Sequence, residues 1–313
     1  MSVFVNGKPY IAVVGGANID IGGRSFAPLL AGDSNPGVIR SALGGVGRNI
    51  AHNLALMGAQ VKLVTALGGD DGGRRIEDSC SALGIDLSAS LRVPDAATGT
   101  YLYIDGPDGD MALAMNDMAV FDRLTPEFLA SVLPVLNAAA LVVVDANLSA
   151  DCIGFLARHC TAPLYGDPVS AAKAGRMAPV LGRFHTLKPN RMEAELLSGI
   201  PITDEESLFA AADVLLGTGL RRVFISLGAD GVLAAEGKNK ILLKNPPAHL
   251  VNATGCGDAF MAALALAALE NADLTTAARF GLAAASLAAE SAETIHPAMS
   301  KTELLIRVDR IIL

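Results

Sequence analysis

Asn252-Ala253-Thr254-Gly255-Cys256-Gly257-Asp258, running directly into the apolar stretch 259–269, sets two glycines and one carboxylate at the start of a helix. The glycines let the main chain come close to an anion, and the unpaired N–H groups and dipole of a helix N-terminus attract negative charge. Asp258, in the first turn, then stands where it can take a proton from an attacking hydroxyl. This is equipment for moving a phosphoryl group. The same residues also read as an ordinary glycine turn before a buried helix, with Asp258 a favourable first-turn charge. The choice depends on whether the rest of the chain supplies an acceptor pocket, a nucleotide site and a metal.

The chain is long enough, at 313 residues, to bury a large core as one α/β domain or two smaller ones. Residues 259–269 form the longest apolar stretch, about half of the roughly 20 residues that a membrane span requires. The opening residues 1–9 carry one lysine and no apolar run before a small-residue cleavage site, so they do not read as a leader, and a cytoplasmic location is expected. Four cysteines lie scattered without a CxxC pair, which argues against a disulfide framework and a structural zinc site. A net charge of −8, with no basic run interleaved with aromatics, excludes nucleic acid as the natural partner and points to a small-molecule substrate. An anionic nucleotide must then be held locally by helix termini, magnesium and a few donors.

Residues 10–14 are an apolar, β-branched run ending in Gly15-Gly16 and read as the first buried strand of a parallel sheet. A polar stretch follows instead of a helix. Residues of about 21–43 and 96–118 are rich in turn formers, and alternation in 100–104 and 111–115 across the turn 105–110 predicts a hairpin, so the two segments read as a small β lid. Between and after them strands and helices alternate. Helices are expected at 48–57 and 72–83, with a strand at 61–66. Further strands are expected at 141–144, 163–165, 185–187 and 222–226, and a hairpin-like pair at 231–235 and 240–243. The last third reads as alanine-rich helices. With no repeat and no linker, residues 1–313 read as one layered domain with a lid.

Gly44-Gly45-Val46-Gly47-Arg48-Asn49 precedes a helix and offers backbone and amide contacts to a polyhydroxylated ligand, or simply a tight turn. Asn18 and Asp20 follow the first strand, where open α/β sheets bind ligands, and a carboxylate there suits two sugar hydroxyls; both residues also serve turns. No GxxxxGK[ST] occurs and Gly15-Gly16 does not lead into a helix, so neither a P-loop nor a dinucleotide fingerprint is supported. Asn190 and Glu193 share one helical face and could hold magnesium-bound waters beside a triphosphate, or form a capping box. Ser226-Leu227-Gly228-Ala229-Asp230-Gly231 leaves a strand through two glycines and could wrap a nucleotide, or be a plain hairpin turn.

Residues 44–49, 190–193 and 226–231, with Thr254-Gly255-Cys256-Gly257-Asp258, resemble in order and across nearly the whole chain the ribokinase-type (PfkB) carbohydrate and nucleoside kinases. The resemblance implies a ribokinase-like three-layer α/β/α domain with a mostly parallel central sheet and a small β lid. It also implies ATP and Mg2+ as cofactors, and a homodimer formed through the lids. Carried over residue by residue, Asn18, Asp20 and Asn49 become ribose ligands beside Gly44 and Gly45, Asp258 the base, and Gly255, Cys256 and Gly257 the anion hole. Asn190, Ser226, Gly228, Gly231 and Thr254 fall to the nucleotide, and Glu193, with Asn190, to the metal through water.

The stretches 16–20, 33–37, 116–118 and 185–190 resemble the bacterial pseudouridine kinase branch more than ribokinases or fructokinases. That branch implies phosphorylation of a 5′-hydroxyl, with Asn116 and Asp117 as candidate readers of the uracil edge or as a turn closing the lid strand. Ribokinases usually carry Asp where Asn252 stands. A monovalent cation loses that carboxylate here, and weak or absent potassium dependence is expected. Cys256 replaces a usual Ala or Gly, and at a helix N-terminus its thiol is expected to have a lowered pKa and to be open to alkylation. Other acceptors remain as rivals, namely ribose, fructose, a keto-deoxy sugar acid or adenosine. A sensor that kept the fold and lost the chemistry is a further rival, but it would have no use for Asp258.

Overall fold

The computed structural model describes residues 9–245 and 249–311. The opening segment read as lacking a leader therefore lies outside the described residues except for Pro9. The chain enters the sheet at β1 (Tyr10–Val14) and crosses to β2 (Asn18–Ser25) and β3 (Gly37–Gly44) before the first helix, α1 (Val46–Leu56). There follow β4 (Gln60–Val64), β5 (Ala66–Gly68), α2 (Asp71–Ala82) and β6 (Leu91–Val93), then the hairpin β7 (Thr100–Asp105) and β8 (Met111–Asp117). The middle of the chain alternates α3 (Pro126–Asn137), β9 (Leu141–Asp145), α4 (Ala150–His159), β10 (Leu164–Asp167), the short α5 (Ala171–Ala174) and β11 (Thr186–Leu187). It continues through α6 (Arg191–Ser198), α7 (Glu205–Gly217), β12 (Arg222–Ser226), β13 (Val232–Glu236) and β14 (Asn239–Leu243), and closes with α8 (Cys256–Leu269), α9 (Leu274–Ala289) and α10 (Lys301–Val308).

Eight strands form the main sheet in the order β14-β13-β12-β11-β10-β9-β1-β4, parallel except where β13 runs against both its neighbours. β1 and β9 are buried along their whole length, as strands covered on both faces must be. Their alternate residues divide between two cores. Ile11 and Val13 pack with α1, α2, α8 and α9, whereas Tyr10, Ala12 and Val14 pack with α3, α4 and α7. That division is the three-layer arrangement expected from the sequence. The alanine-rich helices allow close approach: Gly281 of α9 lies directly against the Phe260 ring of α8, which in turn meets Phe224 of β12 at 6.4 Å between centroids. Removing Phe260 to Ala would cost about 3–5 kcal/mol.

The expected lid is a separate four-stranded sheet, β3-β2-β7-β8, and its first strand starts at Asn18, earlier than the polar composition suggested. The expected strand at 61–66 is split. The chain leaves the main sheet at buried Thr65, whose N–H donates to Ser90 Oγ and whose carbonyl accepts from Leu91, and β5 then pairs with β6. Among the described residues no helix is long and apolar enough to cross a membrane, and all four cysteines are free.

Candidate active site

The parallel strands end on one edge of the sheet, and the polar residues that follow them converge there, as in open α/β sheets generally. α8 begins on this edge. Its N-cap, Gly255, has φ +84°, and a Cβ there would collide with the Thr294 carbonyl, so glycine is required for the chain to enter the helix at this angle. No side chain caps α8, and among the described residues the N–H groups of Gly257 and Asp258 donate to no protein acceptor. Backbone donors at a helix start thus remain available to an anion.

Asp258 is held by Asn49, whose Nδ2 donates to Oδ2 at 2.8 Å. Burial first, and then the negative charges of Asp167 and Asp145, push its carboxyl up to about 7, against the opposing pull of Asn49 and Lys188. A carboxylate with that affinity matches a general base working near neutral pH. Asn49 is itself fixed by Arg48, which donates from Nη1 to Asn49 Oδ1 at 2.9 Å and to the Leu43 carbonyl at 2.7 Å. The other arm of Arg48 meets His52 Nδ1 at 2.8 Å, and burial together with that guanidinium pushes His52 down to about 4.

Lid and sheet meet at Asp20. Asn18 Nδ2 donates to Asp20 Oδ1 at 2.6 Å, burial raises the Asp20 carboxyl, and the Arg48 charge acts on both Asp20 and Asp258. Gly44 pairs with Asn18 across β2 and β3, and Gly45 caps α1. The ladder register separates the last two acceptor candidates. Asn116 pairs with Tyr101, which pairs with Asp20, so all three lie on one face of the lid; Asp117 pairs with Thr100 and Ile19 on the opposite face, and its Oδ1 accepts from Ala119 at 3.2 Å. Asn116 is thus brought to the Asp20 side and Asp117 closes a turn.

On the other side of Asp258, a cavity of about 510 Å³ runs from the start of α8 between β12 and α9. Ser226, Gly228, Gly231, Cys256 and Gly257 line it, with an apolar end at Phe260, Leu282 and Ala285, a shape suited to an adenine ring leading to phosphates at the helix. Thr254 is exposed, its N–H donating to Asn252 Oδ1 at 2.9 Å. The expected low thiol pKa at Cys256 is corrected: burial and then the neighbouring Asp258 charge push it up to about 11.

Asn190 and Glu193 form the capping box that the sequence left open as an alternative: Asn190 Oδ1 accepts from Glu193 N at 2.9 Å, and Glu193 accepts from the Asn190 backbone at 2.8 Å and from its Nδ2 at 3.0 Å. Beside it lies a buried cation that sequence reasoning left without a role. Lys188 Nζ stands 3.3 Å from Asp167 Oδ2, and a Cβ on Gly257 would lie 3.2 Å from it. Burial alone would depress this ammonium, but Asp167, Glu193 and Asp258 outweigh it and hold it above the ordinary lysine range. Asp145, fully buried at the end of β9, accepts from Gly16 and Asn147 and anchors the loop below the lid. A signal for both acids was present, since each is the polar last residue of an otherwise apolar strand.

Among the described residues no cluster of three or more His, Cys, Asp or Glu is arranged to hold a metal. That fits magnesium delivered on a nucleotide, which needs only one or two carboxylates in addition to phosphate oxygens. Asp167 Oδ2, buried and facing only the Lys188 ammonium at 3.3 Å, is one such oxygen; Glu193 is the other carboxylate at hand.

Comparison with known proteins accords with this geometry. The model of the pfkB family of carbohydrate kinases matches residues 8–301. The pseudouridine kinase of Escherichia coli (strain K12) is 35% identical over 304 residues, covering 96% of this chain and 97% of that protein. Among solved structures, a carbohydrate kinase from Agrobacterium tumefaciens superposes with a TM-score of 0.85 at 29% identity, covering 97% of this chain and 98% of the other. The ribokinase of Thermotoga maritima does so with a TM-score of 0.84 at 25% identity, covering 96% and 99%. With a ribokinase fold and a family match that runs over residues 8–301, the chain belongs to the pfkB family of carbohydrate kinases and is a phosphotransferase acting on an alcohol group.

Proposed function

We propose that this kinase transfers the γ-phosphoryl group of ATP to the 5′-hydroxyl of pseudouridine. The observation that carries the chemistry is the placement of Asp258 between two compartments: Asn49 and the Asp20 end of the lid on one side, the apolar cavity reached through Gly257 on the other. Asp20 and Asn18 bind ribose hydroxyls, Asn116 meets the base, and Asp258 takes the proton of the attacking 5′-hydroxyl. The free N–H groups of Gly257 and Asp258 and the Lys188 ammonium stabilise charge on the group in transit, whereas the N–H of Cys256, expected in that role, is taken by the Ala253 carbonyl at 3.3 Å. Asp167 and Glu193 would hold Mg2+ through water, and that ion, when bound, neutralises charge between the phosphates. The choice of pseudouridine is supported by the 35% identity with the E. coli enzyme of that name.

Incubating the protein with ATP, magnesium and separately pseudouridine, uridine, ribose, fructose and adenosine, and measuring ADP, tests the reading. Preferred turnover of pseudouridine supports it. Preferred turnover of another acceptor refutes the substrate and leaves the family chemistry in place.

The assembly we propose is a cytoplasmic homodimer joined through the lids. Ile39, Leu102, Leu113 and Met115 all lie on the lid face opposite Asp20, and all are exposed. Light scattering of the eluted protein should give twice the mass of the chain, and a single-chain mass would refute the dimer.

A further inference from the structure

The lid face that carries Asp20 continues outward for one more rung that the proposed chemistry does not use. In the ladder, Asp20 is flanked by Ala42 and Tyr101, and the next residue on that face, Gly22, by Arg40 and Tyr103. The phenol ring of Tyr103 lies across Gly22, so close that a Cβ at Gly22 would overlap its Cζ and Oη. Glycine at this position therefore does something specific. It lets a large aromatic ring settle onto the strand on the Asp20 side, where any other residue would push the ring away. Tyr101, on the same face, keeps its ring 5.8 Å from that of Tyr103.

A cavity of about 510 Å³ opens over this rung, lined by Gly22, Arg24, Phe26, Arg40, Tyr103 and Asp105. Among the described residues neither the Tyr103 hydroxyl nor the Arg40 guanidinium has a hydrogen-bond partner. One rung along a strand is a step of about 6.6 Å. That is enough to carry a flat ring attached to a sugar at Asp20 onto Tyr103, with Arg40 offering N–H groups to carbonyl oxygens on the ring's edge.

We propose that Tyr103, seated on Gly22, is the stacking surface for the planar base of a nucleoside acceptor, so that the lid selects nucleosides over free sugars. The proposal rests on the reading of Asp20 as a ligand of the acceptor's sugar. It deepens that reading by assigning base selection to an aromatic face, which tolerates any base, with the finer choice left to edge groups such as Asn116 and Arg40.

The test measures kcat/KM for pseudouridine, uridine, adenosine and ribose in the wild type and in Tyr103→Ala, Tyr103→Phe, Gly22→Ala and the double variant Gly22→Ala/Tyr103→Ala. Loss of base stacking should lower the nucleoside-to-ribose ratio by about 5- to 100-fold in Tyr103→Ala. Tyr103→Phe, which keeps the face, should retain most of the ratio. Gly22→Ala displaces the ring and should lower the ratio too, and the double variant should be no worse than Tyr103→Ala alone, because both changes remove the same contact. An unchanged ratio in Tyr103→Ala overturns the proposal, as does a wild type that accepts ribose and no nucleoside. A wild type preferring another nucleoside, with the ratio for that nucleoside falling in Tyr103→Ala, supports the stacking surface while refuting pseudouridine as the substrate.

Discussion

Asn49 grips Asp258 with its amide nitrogen at 2.8 Å because its carbonyl oxygen is already committed to Arg48 at 2.9 Å. The amide is therefore oriented by one neighbour and orients the other. Sequence resemblance made Asn49 a sugar ligand; in the folded chain its amide holds the Asp258 carboxylate. Its hydrogen bond favours the ionised carboxylate. Asn49→Ala should raise the acid limb of the pH–rate profile by about one unit, a hydrogen bond to a charged group being worth about 1.5 kcal/mol. A limb that does not move would remove Asn49 from this role.

The carboxyl of Asp258, pushed up to about 7, must be deprotonated to act, so kcat/KM should climb with pH and level off above that value. Asp258→Asn should lose roughly 10²–10⁴ in kcat with little change in acceptor binding. The variant also reports on stability. The raised pKa means that the folded state holds a proton the unfolded chain has already released, so wild-type stability falls as pH rises from about 3.8 to about 7. Asp258→Asn lacks that titration. Its melting temperature should exceed that of the wild type at pH 8 and match it at pH 4.

Much of this was legible beforehand. Buried strands such as Tyr10–Val14 and Leu141–Asp145 announce themselves as unbroken apolar runs, and the glycines around Cys256 mark the head of a helix. What stayed hidden depended on register and on distant neighbours. Asn116 and Asp117 are adjacent in sequence, but the pleat sends them to opposite faces. The role of Lys188 appears only when Asp167, Glu193 and Asp258, from three separate elements, surround it. The thiol of Cys256 looked activated by its helix, and only the folded chain shows that burial and Asp258 raise its pKa.

That thiol makes a further prediction. At about 11, its pKa leaves roughly a hundredfold less thiolate at neutral pH than an ordinary cysteine near 9 has. Iodoacetamide should label Cys256 correspondingly slowly, with the rate still rising beyond pH 9, and Cys256→Ala should remain active. Rapid labelling at pH 7, located by peptide mass spectrometry, would contradict the buried environment.

Asn252 bears on monovalent cations. Its Oδ1 accepts from Thr254 and its Nδ2 donates to the Ala292 carbonyl at 3.3 Å, so both ends of the amide are engaged within the protein and no carboxylate is present there. Replacing a bulky organic cation by potassium should change kcat less than tenfold, about 1.4 kcal/mol in barrier. A larger rise would show that backbone carbonyls alone suffice to hold the ion.

α8 has a double duty. From Ala259 to Ala267 every residue is buried, while its first turn carries Asp258, the proposed base. A site borne on a loop can fray while the rest of a protein stays intact, but the proposed one is the half-buried end of a core timber. Heat should therefore silence the enzyme along the same curve on which it unfolds. The lid hairpins lie outside that timber, so selection can rewrite them for a new acceptor and leave the catalytic end undisturbed.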